Sequence, residues 1–123
     1  MQSTRQGPPL ARQAHARIVE ILKAARTNDW DQFKTLSDGD LSNEESMRGQ
    51  FNASRLIVDF DRIDVGQFSV GVNPDGFRLI VGQLAPLDDK RQRVVLTVYS
   101  KELDDGPFIS VWTFHEGLDL SSL

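Results

Sequence analysis

Apolar residues near the start of the chain recur every three or four positions, with charged residues between them. The apolar positions are Leu10, Ala14, Ile18, Val19, Ile21, Leu22 and Ala25. The charged positions on the opposite side are Arg12, Arg17, Glu20, Lys23 and Arg26. This spacing predicts an amphipathic helix whose apolar stripe faces a core.

Two shorter helices are predicted after the first. Residues 27–29, Thr-Asn-Asp, offer an N-cap for a helix over "WDQFKTL", in which the apolar side chains follow about one turn apart. Ser42 and Glu45, three residues apart, have the pattern of a capping box and predict the start of a third helix. Met47 and Phe51, four residues apart, are its predicted buried edge.

The hydrophobic period changes from helical to alternating after residue 55. Residues 56–72 predict one long strand, with a change of register near Gly66 that indicates a bulge or bend. The turn sequence "NPDG" leads into a second strand over residues 77–84. Further strands are predicted over residues 94–103 and 108–115, joined by "DDGP". Hairpin connections make the sheet antiparallel.

Helices first and strands second predict an α+β fold, with three N-terminal helices packed on a curved four-stranded antiparallel sheet. Residues 1–9 are polar and end in two prolines, which predicts a flexible N-terminal tail. Residues 10–123 are long enough for one domain with its own hydrophobic core.

Composition narrows the classes of function. The chain contains no cysteine, which excludes disulfides, thiolate metal sites and cysteine nucleophiles. A net charge of −4 argues against nucleic acid as a partner, because phosphate binding needs clustered Lys and Arg. No apolar stretch approaches the length of about 20 residues that spans a bilayer. Without an apolar segment in "MQSTRQGPPLARQ", we expect cytoplasmic residence and no membrane partner.

The order of these elements resembles the cone-shaped nuclear-transport-factor-2-like superfamily, which includes ketosteroid isomerases and SnoaL-like polyketide cyclases. The resembling segments are "ILKAARTNDWDQFKTL", then "SNEESMRGQF", then long bent strands to the end. "SDGDLS" is shorter than the connection, often a β-hairpin, that the superfamily carries between the second and third helices. The resemblance implies a cone-shaped α+β fold, and related folds often dimerise through the sheet.

Three aspartates, Asp59, Asp61 and Asp64, interrupt the apolar run that begins the predicted first strand. Alternation places Asp59 and Asp61 on one side of that strand, roughly 6–7 Å apart, and Asp64 on the other. Three carboxylates in this arrangement do not converge on one ion, so we expect no metal site, and we expect no cofactor.

A catalytic constellation is one interpretation of the mixed sheet face. Val94, Leu96 and Val98 form an apolar row on the third predicted strand. If the most apolar rows meet the helices, the opposite face collects Asp59, Asp61, Thr97, Tyr99, Thr113 and His115. An acid, a phenol and an imidazole are the groups used for proton abstraction next to a carbonyl. The resemblance to the isomerases implies an aspartate base, Asp59 or Asp61, with Tyr99 and His115 as hydrogen-bond donors.

A partner surface or a plain solvated face is the other interpretation, because antiparallel sheets commonly have one wet side. The apolar residues predicted on that face indicate a homodimer interface formed by Ile57, Val95, Ile109 and Val111. With the opposite assignment of faces, the mixed row would line the cone, and Phe108, Trp112 and Phe114 would meet the partner.

The leading functional hypothesis is therefore a small domain that dimerises through its sheet and holds a small apolar ligand between helices and sheet. The predicted ligand pocket consists of Trp30, Phe33, Phe51, Trp112 and Phe114. An isomerase-like or cyclase-like enzyme is the alternative.

Overall fold

Three helices precede a four-stranded sheet, and the predicted α+β class is confirmed. The computed structural model describes residues 12–38, 44–72, 74–88, 90, 92–103 and 106–117. Its helices are α1 (Arg12–Arg26), α2 (Trp30–Leu36) and α3 (Glu44–Ser54). Its strands are β1 (Ser69–Val72), β2 (Arg78–Leu84), β3 (Val94–Leu103) and β4 (Gly106–Glu116). The predicted tail at residues 1–9 and the predicted capping residue Ser42 lie outside the described residues.

The junction between α1 and α2 is set by three consecutive polar residues. Asn28 adopts a positive φ of 59°, and its N–H donates to the carbonyl of Ala25. The N–H of Asp29 donates to the carbonyl of Ala24, which completes a Schellman motif at the end of α1. The Asp29 carboxylate then accepts from the Gln32 N–H and caps α2. The predicted N-cap at residues 27–29 is thus confirmed.

The prediction of one long strand over residues 56–72 is wrong, since strand β1 covers only its last four residues. Two 3₁₀ turns, Phe60–Arg62 and Val65–Gln67, occupy the middle of the segment. The carboxylate of Asp59 accepts from the N–H of Asp61, and that of Asp64 accepts from the N–H of Gly66. These side-chain bonds give the backbone a local alternative to strand pairing. Gly66 lies within the second turn and not at a bend in a strand.

All strand pairs are antiparallel, and the sheet order is β1-β2-β3-β4. Every second residue of β3, from Val94 to Ser100, is buried, and the residues between are half-buried. The helices cover the buried row, and α3 and α1 both pack on β4. The core therefore lies between the helices and one face of the sheet. The predicted buried row of Val94, Leu96 and Val98 is confirmed.

A β-bulge in the last strand changes which of its residues face the core. Thr97 pairs with Thr113, whereas Val98 pairs with Val111, so Trp112 is the extra residue of β4. Before the bulge, Ile109 and Val111 are buried in the core; after it, Phe114 is buried. The prediction that Ile109 and Val111 lie on the free face of the sheet is therefore wrong. Simple alternation across β4 fails because the bulge shifts its parity by one residue.

The free edge of β4 is covered by groups at the end of α2. The N–H of Val111 donates to Ser37 Oγ at 2.9 Å. The N–H of Ile109 donates to Asp38 Oδ2 at 3.0 Å, and its carbonyl accepts from the Asp38 N–H at 2.6 Å. Arg17 of α1 forms an ion pair with the same carboxylate oxygen at 3.2 Å. Backbone groups that an edge strand would offer to another chain are thus bonded within the domain.

Two side chains of α3 continue this closure beyond the bulge. The N–H of Phe114 donates to Gln50 Oε1 at 2.8 Å, and its carbonyl accepts from Ser54 Oγ at 2.6 Å. Ser54 is buried and lies 60 positions earlier in the chain. This hydrogen bond fixes the end of α3 against the edge strand.

We expect the Ser54→Ala variant to be less stable by about 1–3 kcal/mol, because the Phe114 carbonyl would be left buried without its partner. Chemical denaturation followed by far-ultraviolet circular dichroism measures this change. Ser46→Ala is the matched control, since Ser46 is exposed in the same helix and its hydroxyl is a long 3.5 Å from the Gln50 side-chain nitrogen. Equal stability of the two variants would contradict the proposed importance of the edge bond.

Candidate functional site

Three aromatic rings form a continuous stack on the face of the sheet away from the helices. We call this the outer face; its described residues on β2–β4 include Leu79, Val81, Gln83, Val95, Thr97, Tyr99, Lys101, Trp112, Thr113 and His115. The centroids of the Phe77 and Tyr99 rings are 4.5 Å apart, and those of Tyr99 and Trp112 are 4.6 Å apart. The Lys101 ammonium lies over the Phe77 ring, 4.3 Å from its centroid. The rings of this aromatic stack therefore fix one another's orientation.

The β4 bulge places Trp112 at the exposed end of the stack. Its side chain is 53% exposed and is nearly parallel to the Tyr99 ring, at an interplanar angle of 7°. Sequence alternation assigned Trp112 to the same row as Phe114, and in the structure these two aromatic residues lie on opposite faces. Phe77 follows the "NPDG" turn and Tyr99 lies on β3, so their contact depends on the register of β2 and β3 and has no local signal in the sequence.

Of the outer-face residues named above, Lys101 is the one with a permanent charge, and its ammonium already contacts an aromatic ring. Leu79 is 41% exposed, and Val81 and Val95 are half-buried. Apart from the Trp112 indole, the rest are hydroxyl, amide or imidazole side chains. Covering this face would bring the Lys101 ammonium, and the Asp75 carboxylate whose charge acts on Tyr99, into or beside the contact. The other side chains named above are mostly apolar, aromatic, hydroxyl or amide groups, so the face suits a largely apolar contact surface.

The pKa of the Tyr99 phenol is raised above its ordinary value of 10.0, first because partial burial disfavours the phenolate, and second because of the charge of Asp75. The phenol therefore remains protonated at neutral pH and is a hydrogen-bond donor. The folded state holds this proton to higher pH than the unfolded chain. Its contribution to stability is complete below pH 10.0 and is lost as the pH rises above that value.

The two aspartates predicted as catalytic bases lie in the first 3₁₀ turn. Asp59 caps that turn, and its other carboxylate oxygen accepts from Arg62 Nε at 2.7 Å. Asp61 pairs with Arg26 of α1 at 2.9 Å, on the helix side of the sheet. Tyr99 belongs to the outer face, so the structure does not bring these aspartates and the phenol together.

His115 shares the outer face with Tyr99 but lies toward the other end of the strands. It pairs with Val95, four residues from Tyr99 along β3, a separation of about 13 Å. Its ring Nδ1 is 2.8 Å from the carbonyl of Glu116. The predicted acid, phenol and imidazole therefore occupy three separate places.

Four of the five predicted pocket residues form one aromatic cluster inside the core. The Phe33 ring contacts Trp30, Phe51 and Phe114, with centroids 4.9–5.9 Å apart. Three of these side chains are buried, and Trp30 is partly buried beside them. Trp112 lies on the outer face and is not part of the cluster. The rings fill the space between helices and sheet with one another.

The predicted interface residues are also divided by the fold. Val95 lies on the outer face, whereas Ile57 follows α3 in a turn and packs against the core. The carbonyl of Ile57 accepts from the N–H of Leu87 at 2.7 Å, away from the sheet face. The outer face is thus apolar because of Leu79, Val95 and the aromatic stack.

A cleft of about 350 Å³ lies between α1 and the two 3₁₀ turns. Its walls are mainly apolar, and Lys23 and Arg26 stand on the helix side. The lining residues are Val19, Leu22, Lys23, Arg26, Phe60, Ile63 and Val65. We call it the α1 cleft. The sequence does not reveal this cleft, because alternation predicts a strand for the segment that forms its far wall.

Within the described part of the chain, no group of three or more His, Asp or Glu side chains is placed to hold a metal ion. No helix among the described residues is long and apolar enough to cross a membrane. No protein-family model matches the chain, and neither the curated proteins nor the solved structures compared with it give a match.

The chain has a single tyrosine, so its titration is directly observable by absorbance at alkaline pH. We expect the folded protein to titrate with a midpoint above 10.0 and the denatured protein to titrate near that value. Trp112→Ala should lower the folded midpoint more than Asp75→Asn, because burial is the larger cause of the shift. Identical midpoints in folded and denatured protein would contradict the described environment of Tyr99.

Proposed function

We propose that this protein is an interaction domain that forms a homodimer through the outer face of its sheet. The observation that carries the proposal is the aromatic stack of Phe77, Tyr99 and Trp112, which ends in a tryptophan with about half of its side chain exposed. Tryptophan and tyrosine are the residues most enriched at the energetic centres of protein interfaces. A rigid stack also loses little side-chain entropy on binding.

The edges of the sheet support association through the face. Side chains of α3 and the α2 end already bond the β4 edge, at Ile109, Val111 and Phe114. The opposite edge strand, β1, has only four residues and offers a short pairing surface. Strand addition, the common way for a sheet to recruit a partner, is therefore disfavoured at β4 and limited at β1.

The distribution of charged residues favours a second copy of this chain as the partner that covers the outer face. The chain carries a net charge of −4, yet none of the outer-face residues named above is acidic. Two copies that meet through these residues would bring no pair of carboxylates from this set into contact. A two-fold axis would place the same aromatic patch on both sides of the contact.

The size of the face predicts a modest affinity. Four strands about 4.8 Å apart and about seven residues long at roughly 3.3 Å each give a flat area near 450 Å². A standard interface buries about 800 Å² of accessible surface on each partner. We therefore expect a dimer that dissociates on dilution.

Two further expectations, on superfamily and on cellular location, accompany the proposed dimer. A sheet-mediated dimer is what the resemblance to the nuclear-transport-factor-2-like superfamily implies, and we propose membership of that superfamily and cytoplasmic residence together with it. The catalytic alternative has no comparable support, because Asp61 pairs with α1 while Tyr99 lies on the outer face.

Leu79→Glu should weaken the dimer at least about tenfold, since two glutamates would be brought into a contact of low dielectric. Sedimentation velocity over a range of protein concentrations measures the dissociation constant. Leu56→Glu is the matched control: the same change is made at a leucine that is 67% exposed in the turn after α3. It should leave the association unchanged.

A native chain that remains monomeric at high micromolar concentration would overturn the proposal, as would a Leu79→Glu variant that sediments like the native chain. A charge at Val111 is unsuitable as a test. That side chain is buried in the core, and its substitution would unfold the domain instead of separating two folded copies.

A further inference from the structure

We propose that the α1 cleft binds an amphiphilic carboxylate, a small molecule with an alkyl or aryl body and one anionic head. This ligand class and this site differ from the surface proposed for dimerisation. The predicted small apolar ligand is thereby moved from the aromatic cluster, which fills the core, to a cleft at the side of α1.

The apolar walls of the cleft come from two different elements. Val19 and Leu22 lie one turn apart on α1, and Val19 is 40% exposed although it belongs to the apolar stripe of the helix. Phe60 and Ile63 are half-buried on the facing segment, and Val65 closes the floor. A volume of about 350 Å³ is at the small end of ligand sites, which suits a ligand of modest size.

The charged residues that line the helix side of the cleft are both basic. Lys23 and Arg26 lie three residues apart on α1, beside the apolar positions Val19 and Leu22. Among the described residues, no carboxylate forms an ion pair with Lys23. An apolar cleft with two cations at its margin is complementary to a ligand whose anionic head stays near water while its body is buried.

One of these two basic side chains already has an ion-pair partner, Asp61. Its carboxylate pairs with Arg26 at 2.9 Å, and both side chains are more than half exposed. Exposed ion pairs of this kind are weak, so a ligand carboxylate can replace the aspartate. Asp61 therefore competes with the ligand head, and its removal should strengthen binding.

Three eight-carbon probes separate the contributions of head and body. Octanoate, 1-octanol and octylammonium share one alkyl chain and differ in the charge of the head group. Titration of the ¹⁵N-labelled full chain, followed by amide chemical shifts, reports both the affinity and the place of binding. We expect octanoate to bind most tightly, with the largest shifts around Val19, Lys23 and Val65.

We expect two variants to change the affinity for octanoate in opposite directions. Asp61→Asn should tighten octanoate binding by about threefold and leave 1-octanol unchanged, because the lost ion pair is exposed and weak and its loss frees Arg26 for the ligand head. Lys23→Gln should weaken octanoate binding by a similar factor. Lys34→Gln is the charge-matched control, since Lys34 lies on α2 and pairs with Glu44. It should leave all three affinities unchanged.

The outcomes are distinct for each part of the proposal. Equal affinities for octanoate and 1-octanol would overturn the anionic specificity, and amide shifts that cluster away from the α1 cleft would overturn the site. An Asp61→Asn variant that binds octanoate no better would contradict the competition at Arg26. Because Leu79 lies on the outer face, failure of the dimer test leaves this result unaffected.

Discussion

The packing of the three helices on the sheet depends on the hydrogen bonds that join the edge strand β4 to the helical half of the chain. Ser37 and Asp38 bond it before the bulge, and Gln50 and Ser54 bond it after the bulge. Buried backbone groups must find partners, and these four residues supply them because no fifth strand among the described residues pairs with β4. The same bonds hold the helices against one face of the sheet, so none of the described helices covers the other face.

The bulge at Trp112 determines how the aromatic residues are shared between the two faces. By inserting one residue, it allows Val111 and Phe114 both to be buried while Trp112 points outward. One set of rings then fills the core, and a second set stacks on the outer face. An exposed apolar surface of this kind is unfavourable in an isolated domain, because its side chains stay in contact with water. A partner that covered the surface would remove that cost.

The aspartates that interrupt the apolar run after α3 have a structural role in local turns. Asp59 and Asp64 bond the backbone two residues further on, and so convert an alternating sequence into two 3₁₀ turns. These turns leave Phe60 and Ile63 half-buried beside α1, where a continuous strand would have aligned them with the sheet. The α1 cleft forms because these turns replace a strand. A surface ion pair joins Asp61, in the first turn, to Arg26 of α1.

The class of fold, the three helices and the buried row of β3 are predictable from the sequence alone, because they depend on periodicity and capping within a few residues of each position. The same patterns do not predict the faces of β4 or the turns before β1. Those depend on a bulge, and on whether Asp59 bonds its own backbone or leaves it free for a neighbouring strand. Local patterns cannot specify these features, because bulges and edge bonds such as Ser54 to Phe114 join residues far apart in the chain.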